Sequence, residues 1–177
     1  RTRVGYCGGT KESPTYYSMG DHTEAFSLDY DPARLSYSDL LEIFWNGHRS
    51  DRNHTSRQYI NAVFYRDEGQ QNLAGESRDA IGASVATEIL PVGKFTYGEG
   101  YHHKYYLTRY EEIRGFLETT YPDAKSLADS TVAMRLNAYL ASGMRRDWKQ
   151  FLVDLPEYGL PEHLESNLRE LGEKQAG

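Results

Sequence analysis

The 177-residue sequence has one cysteine, fewer basic than acidic residues and no long apolar run, and each shortage excludes a class of protein. A single thiol, Cys7, cannot form an internal disulfide, so we expect no disulfide scaffold and a reducing compartment such as the cytoplasm. The formal net charge of −6 provides no basic surface for nucleic acid. No stretch approaches the roughly 18 apolar residues of a transmembrane helix, and no signal peptide is visible.

Hydrophobic periodicity predicts an α+β body in the first part of the chain. The strands predicted from alternating apolar and polar residues cover residues 2–6, 24–30, 59–65 and 85–92. The predicted helices cover residues 37–47, 67–84 and 99–106. The first helix has the strongest signal, because Ser36 is a suitable N-cap and Asp39 completes a capping-box pattern ahead of an apolar stripe.

From about residue 108 the pattern becomes helical throughout. Segments with helical spacing, separated by proline or glycine, cover residues 111–120, 124–140, 145–155 and 161–172. We therefore expect two parts, a body over residues 1–107 and a helical C-terminal extension over residues 108–177 that packs on it.

One carboxylate and two tyrosines form the leading candidate site. Glu24 begins a predicted strand, Tyr16 lies in the loop before it, and Tyr59 begins another strand. Tyrosine hydroxyls directed at one oxygen, beside a carboxyl that an apolar pocket keeps neutral, could polarise and protonate an S=O or C=O group. The alternative for Glu24 is a solvated strand end, and spacing alone does not establish that the three side chains converge.

Cysteine and histidine give weaker signals. Cys7 would be reactive only if a cation such as Arg3 or His22 lowered its pKa, and the alternative is a small buried apolar side chain. His102 and His103 are adjacent instead of four residues apart and have no carboxylate or cysteine at ligand spacing. We therefore expect no metal site.

Seven short segments, in order, resemble the peptide methionine sulfoxide reductase A family over roughly residues 1–107. They are Val4-Gly5-Tyr6-Cys7-Gly8-Gly9, Pro14-Thr15-Tyr16, Gly20-Asp21-His22-Thr23-Glu24-Ala25, Tyr30-Asp31-Pro32, Ser36-Tyr37 with Phe44-Trp45-Asn46-Gly47-His48, Arg57-Gln58-Tyr59, and Gly98-Glu99-Gly100-Tyr101-His102-His103-Lys104-Tyr105. Each segment by itself is weak evidence for the family, whereas seven segments in the order found in the family are specific evidence for it. The later segment Arg135-Leu136-Asn137-Ala138-Tyr139-Leu140-Ala141 resembles a branch of the family that lacks the usual C-terminal recycling cysteines.

The resemblance implies a ferredoxin-like α/β roll and the reduction of the S-epimer of methionine sulfoxide, free or in proteins, which repairs oxidised protein under oxidative stress. In the family a cysteine thiolate attacks the sulfoxide sulfur, a glutamate protonates the oxygen and two tyrosines orient it. The matching positions are Glu24, Tyr16 and Tyr59. A second thiol or thioredoxin then reduces the sulfenic acid, and the family needs no bound cofactor, nucleic acid or membrane.

Two departures separate the sequence from this family. The Gly-Cys-Phe-Trp-Gly motif that carries the nucleophile is absent, and Cys7 stands where the family usually has alanine. The position of an aspartate in the family corresponds to His54 in this sequence. We do not assign the role of that aspartate to His54. Because the sequence begins with Arg1, we expect a piece of a longer reductase whose cysteine or selenocysteine precedes that residue. The alternatives are a non-catalytic paralogue that binds methionine-containing partners and an unrelated activity that uses Cys7.

Overall fold

The computed structural model describes residues 1–142 and 148–176, in which helices and strands are mixed, and this confirms the α+β class. The chain divides into two compact units. One comprises Val4–Gly98, and the other comprises Arg1–Arg3 together with Glu99–Gly177. The predicted boundary between residues 107 and 108, and the packing expected across it, stay predictions.

Two small sheets form the strand framework of Val4–Gly98, and their first strand begins two residues earlier, at Thr2. The strands are β1 (Thr2–Cys7), β2 (Thr23–Leu28), β3 (Ala62–Tyr65), β4 (Glu88–Pro91) and β5 (Thr96–Tyr97). In one sheet β1 lies between β2 and β5 and pairs antiparallel with β5, whereas β3 and β4 form a parallel pair in the other sheet. The sequence pattern did not predict β5, which is too short to show alternation.

Two helices pack in the first unit, α1 (Tyr37–Asn46) and α2 (Glu68–Ile81). The predicted capping box of α1 is confirmed, since Ser36 Oγ accepts from the N–H of Asp39 and Asp39 Oδ2 accepts from the N–H of Ser36. The small core between these helices and the parallel strands is built on three buried residues, Leu41, Val63 and Ala74.

The strand predicted over residues 59–65 begins only at Ala62. Tyr59 was expected in this strand, but it ends a preceding 3₁₀ turn instead. The N–H of Asn61 donates to the side-chain oxygen of Asn53 over 2.6 Å, so it is not available to a neighbouring strand. A single side chain from an upstream loop therefore delays the strand and leaves Tyr59 in a turn.

The strand predicted over residues 85–92 is also shorter than expected. The N–H of Ala86 donates to the carbonyl of Ser50 over 2.7 Å, outside the sheet, and β4 begins two residues later. The helix predicted over residues 67–84 ends before Gly82, whose φ of 128° does not continue a helix.

The helix predicted over residues 99–106 is wrong. A 3₁₀ turn occupies Gly100–His102 instead, and a second one follows the region at Leu107–Arg109. Between them His103 is extended and Lys104 has a φ of 53°, and neither conformation continues a helix.

Helices dominate the second unit. They are α3 (Glu111–Thr120), α4 (Ala124–Asp129), α5 (Thr131–Ala141), α6 (Trp148–Asp154) and α7 (Glu162–Ala176), with a 3₁₀ turn at Leu155–Tyr158. The helix predicted over 124–140 is interrupted because Ser130 turns the chain and its side chain caps α5 by accepting from the N–H of Ala133. Of the helix predicted over 145–155, residues 145–147 lie outside the described residues.

The core of the second unit is larger than that of the first. Its buried members are Leu107, Ile113, Leu117, Ala133, Leu136, Leu140, Phe151, Leu155, Tyr158, Leu160, Leu164 and Leu168. In the part of the chain that the structure describes, no helix has both the length and the apolar character needed to cross a bilayer.

Candidate active site

The loop between β1 and β2 is braced by two polar side chains. The Asp21 carboxylate accepts hydrogen bonds from the backbone N–H and the hydroxyl of Thr10, at 2.8 to 3.0 Å, and these bonds lower the pKa of Asp21 to about 2. The buried His22 imidazole accepts the N–H of Gly9 at Nδ1 over 3.2 Å, and its Nε2–H donates to the carbonyl of Lys11 over 2.8 Å. A neutral ring with its proton on Nε2 satisfies both contacts and fixes the loop.

Tyr16 projects from a tight turn in the middle of this loop. Thr15 and Ser18 exchange backbone hydrogen bonds of 3.0 and 3.3 Å on either side of it. The Tyr16 hydroxyl lies 3.3 Å from the Tyr59 hydroxyl. This hydrogen bond is the main cause that raises the pKa of Tyr59, and desolvation and the nearby negative charge of Glu24 raise it further. Tyr59 therefore remains protonated at neutral pH, and its hydroxyl can donate a hydrogen bond.

The first 3₁₀ turn of the chain is tied to two strands by its other side chains. Arg57 Nη1 donates to both carboxylate oxygens of Glu88, at 3.0 and 2.8 Å, and the Arg57 carbonyl accepts from the Thr23 hydroxyl at 3.0 Å. Gln58 Nε2 donates to Glu24 Oε1 over 2.8 Å. Two adjacent residues of the turn thus make the two contacts, Gln58 with Glu24 and Tyr59 with Tyr16.

Glu24 also lines an apolar groove with a volume of about 480 Å³. Its apolar walls include Phe26, Leu40, Ile43, Phe44, Val63 and Phe64. Phe26 is 62% exposed and Ile43 is 63% exposed, so the groove is open to solvent. Glu24 is half-buried and its carboxylate accepts from the amide of Gln58, so it is not a fully solvated strand end.

Cys7 lines the same groove, but its thiol is inert. The residue is 1% exposed, and burial raises its pKa to about 12. The two cations that might have activated it are engaged elsewhere, since Arg3 forms an ion pair with Asp129 and His22 bonds to the backbone. The structure therefore confirms the alternative of a small buried apolar side chain.

Among residues 1–142 and 148–176, no group of three or more His, Cys, Asp or Glu side chains could hold a metal ion. His103 is buried, and His102 Nε2 lies 3.8 Å from a carboxylate oxygen of Glu99. His54 is exposed, and its ring centroid lies 6.4 Å from that of Tyr59.

Sequence reasoning missed the role of Gln58. The residue stands in the matched segment Arg57-Gln58-Tyr59, and this position was the available signal. Periodicity placed the segment partly in a strand, in which alternate side chains point to opposite faces of the sheet. The turn instead allows the side chains of Gln58 and Tyr59 to reach Glu24 and Tyr16.

Glu24 at the apolar groove and the hydrogen-bonded pair of Tyr16 and Tyr59 are linked through the neighbouring residues Gln58 and Tyr59, and together they form the candidate site. Comparison with known proteins identifies the family. The model of the family described as "Peptide methionine sulfoxide reductase" matches residues 1–129, and the chain belongs to this family. The resemblance found in the sequence is thereby confirmed.

Two named relatives agree with this membership. The chain is 39% identical over 147 residues to the "Peptide methionine sulfoxide reductase" of Drosophila melanogaster, which covers 80% of this chain and 58% of the relative. It is 34% identical over 151 residues to "Peptide methionine sulfoxide reductase A5" of Oryza sativa subsp. japonica, which covers 80% of this chain and 59% of that protein. The chain therefore spans less than two thirds of the length of these relatives.

Solved structures support the fold. Mxr1 of Saccharomyces cerevisiae in reduced form matches with a TM-score of 0.51 at 23% identity, over 57% of this chain and 66% of that chain. Methionine sulfoxide reductase A of Corynebacterium diphtheriae matches with a TM-score of 0.51 at 24% identity, over 61% and 63% of the two chains.

Proposed function

We propose that this chain supplies the proton-donating half of a peptide-methionine (S)-S-oxide reductase site. The observations that support the proposal are two neighbouring contacts, the Tyr16 and Tyr59 hydroxyls 3.3 Å apart and the Glu24 carboxylate held at 2.8 Å by the amide of Gln58, the residue before Tyr59; Glu24 also lines an apolar groove. A sulfoxide oxygen placed at the two phenols accepts a hydrogen bond from each. These bonds stabilise the negative charge that develops on the oxygen as the S–O bond breaks.

The proposed reaction requires two groups, Glu24 as the proton donor and a sulfur or selenium nucleophile. The nucleophile forms a bond to the sulfoxide sulfur while Glu24 gives a proton to the oxygen. Collapse of this intermediate transfers the oxygen to the nucleophile, so that the thioether leaves and a sulfenic or selenenic acid remains. Two thiols, or one dithiol, then reduce this acid, forming a disulfide and water, and the proton of the restored nucleophile returns to Glu24.

Cys7 does not act as the nucleophile in this proposal, because the attacking species is a thiolate and burial raises the Cys7 pKa to about 12. It is also the single cysteine of the 177 residues. We infer that the nucleophile is a cysteine or selenocysteine outside the printed sequence. The family motif Gly-Cys-Phe-Trp-Gly is its expected context.

The substrates we propose are methionine sulfoxide in oxidised proteins and free methionine sulfoxide. The names of the relatives support the peptide-bound substrate. The proposed reductant is thioredoxin or another dithiol, and the proposed compartment is the cytoplasm, which fits the single cysteine. The complete set of Tyr16, Glu24 and Tyr59 favours catalysis over a non-catalytic paralogue that only binds methionine.

The experiment compares the 177-residue chain with a chain extended ahead of Arg1 by a segment carrying the Gly-Cys-Phe-Trp-Gly motif. Both are incubated with dithiothreitol and a peptide containing either the S- or the R-epimer of methionine sulfoxide. We expect the extended chain to reduce only the S-epimer and the 177-residue chain to reduce neither. Turnover by the shorter chain that Cys7→Ser abolishes, or a folded but inactive extended chain, would contradict the proposal.

A further inference from the structure

A hydrogen bond between Thr23 and Arg57 joins β2 to the turn that contains Tyr59. Thr23 is the first residue of β2 and is 1% exposed. Its hydroxyl donates to the backbone carbonyl of Arg57 over 3.0 Å. Arg57 is in turn the first residue of the 3₁₀ turn Arg57–Tyr59. Because buried hydroxyls in proteins are nearly always hydrogen-bonded, this contact fixes the start of the turn against the start of the strand.

The residues of the candidate site follow directly after this hydrogen bond on both sides. On the strand the next residue is Glu24, and on the turn the next two residues are Gln58 and Tyr59. Gln58 Nε2 donates to Glu24 Oε1 over 2.8 Å. The Tyr59 hydroxyl lies 3.3 Å from that of Tyr16. Consecutive Cα atoms are about 3.8 Å apart, so a displacement of the turn from the strand reaches both contacts within two residues.

The side chain of Arg57 provides a second anchor for the turn. Its Nη1 donates to both carboxylate oxygens of Glu88 on β4, at 3.0 and 2.8 Å. These two side chains are 39% and 38% exposed, so water screens the ion pair. Thr23 is buried, and removing one partner of a buried hydrogen bond costs more stability than removing a screened ion pair. Thr23 is therefore the stronger of the two anchors.

We propose that Thr23 is a positioning residue of the candidate site, whose hydroxyl holds the Arg57–Tyr59 turn against the start of β2. The turn then places the Gln58 amide and the Tyr59 phenol at their partners. Thr23 does not contact the substrate in this account, because it acts through the turn. Its effect on catalysis rests on the proposed function, whereas the geometry can be measured in the 177-residue chain without turnover.

Two substitutions separate the hydroxyl of Thr23 from the rest of its side chain. Thr23→Val keeps the branched shape and removes the hydroxyl, whereas Thr23→Ser keeps the hydroxyl and removes a methyl group. Thr119→Val is the matched control, since Thr119 Oγ on α3 also donates to a carbonyl, that of Phe116, over 2.7 Å. Circular dichroism over the titrated pH range verifies that each chain is folded. A Thr23→Val chain that does not fold would refute the positioning role, because the hydroxyl would then serve the fold as a whole.

The first measurement is the titration of the Tyr59 phenol in the 177-residue chain by carbon-13 NMR, with Tyr59→Phe to assign the signal. The hydrogen bond with Tyr16 is the largest cause that raises the pKa of Tyr59, so this pKa reports whether the two phenols meet. We expect Thr23→Val to lower the pKa of Tyr59 towards its ordinary value, and Thr23→Ser and Thr119→Val to retain the raised pKa. A pKa that is not raised in the parent chain, or is raised equally in Thr23→Val, would overturn the proposal.

The second measurement separates kcat from KM in the extended chain with the S-sulfoxide peptide. We expect Thr23→Val to lower kcat about tenfold with little change in KM, since it displaces groups that act in the transition state. Thr23→Ser should restore kcat, and Thr119→Val should leave it unchanged. A Thr23→Val chain that keeps the full kcat would show that Thr23 has only a structural role. An extended chain without activity would contradict the proposed function, whereas the Tyr59 titration would still decide the role of Thr23.

Discussion

The side-chain amide of Gln58 donates a hydrogen bond of 2.8 Å to Oε1 of Glu24. A neutral carboxyl carries its proton on one oxygen, and the oxygen that accepts from Gln58 is better suited to be the carbonyl oxygen. The bond therefore directs the proton of a neutral Glu24 to Oε2. Gln58 is a positioning residue in this account, because it acts on the substrate through Glu24.

Gln58→Leu should lower kcat of the extended chain about tenfold, the effect of losing one hydrogen bond to an ionisable group. The reason is that Glu24 would lose the contact that orients its proton. The measurement is steady-state reduction of the S-sulfoxide peptide, with kcat and KM determined separately. Gln71→Leu, at an exposed position on α2, is the control. An unchanged kcat in Gln58→Leu would remove Gln58 from the mechanism.

Tyr16→Phe and Tyr59→Phe should each lower kcat/KM about tenfold, since each removes one hydrogen bond to the developing oxygen charge. The two phenols are hydrogen-bonded to each other, so the double variant should lose less than the product of the single losses. Tyr17→Phe is a matched control, because Tyr17 is adjacent and 90% exposed. Losses that multiply independently would show that the two hydroxyls do not act on one oxygen.

Cys7 should resist thiol reagents in the folded chain. The pKa is raised to about 12 by burial, so almost no thiolate exists at pH 8, and the sulfur is 1% exposed. Ellman's reagent should react with it only after guanidinium unfolds the protein. Rapid labelling of the folded chain at pH 8 would show that Cys7 is accessible and would reopen its role as a nucleophile.

Asp21 should titrate with a midpoint near pH 2. Its hydrogen bonds from Thr10 lower the pKa from 3.8 to about 2, because they favour the ionised form. A lowered acid pKa stabilises the folded loop above the unfolded value of 3.8, and this stabilisation is lost as the pH falls towards 2. Carbon-13 NMR of the side-chain carboxyl, with Asp21→Asn to assign the signal, measures the midpoint. A midpoint near 4 would contradict the observed loop contacts.

Local features of the fold were predictable from the sequence because their determinants are adjacent in the chain. The capping box of Ser36 and Asp39 is an example, since both partners lie within one helical turn. The start of β3 was not predictable in this way. It depends on a hydrogen bond from Asn61 to Asn53, a loop residue that no periodic pattern includes.

The candidate site likewise has one part that the sequence predicts and one part that it does not predict. Glu24 at the start of a strand follows from alternation, but its hydrogen bond with Gln58 depends on contacts between distant residues. The ion pair of Arg57 with Glu88 is one of these contacts, and neither spacing nor propensity encodes it. Ordered segments shared with a known family supplied this information, because a family resemblance reflects a whole fold.

The most direct test of the central claim is kcat of the extended chain and its Glu24→Gln variant for the S-sulfoxide peptide. Glutamine preserves the size of the side chain but cannot donate a carboxyl proton. The account predicts a fall in kcat of about 10² to 10⁴-fold, as removal of a general acid requires, with little change in KM. Glu42→Gln, at an exposed position on α1, should leave kcat unchanged. A Glu24→Gln chain that keeps the full kcat would contradict the assignment of Glu24 as the proton donor.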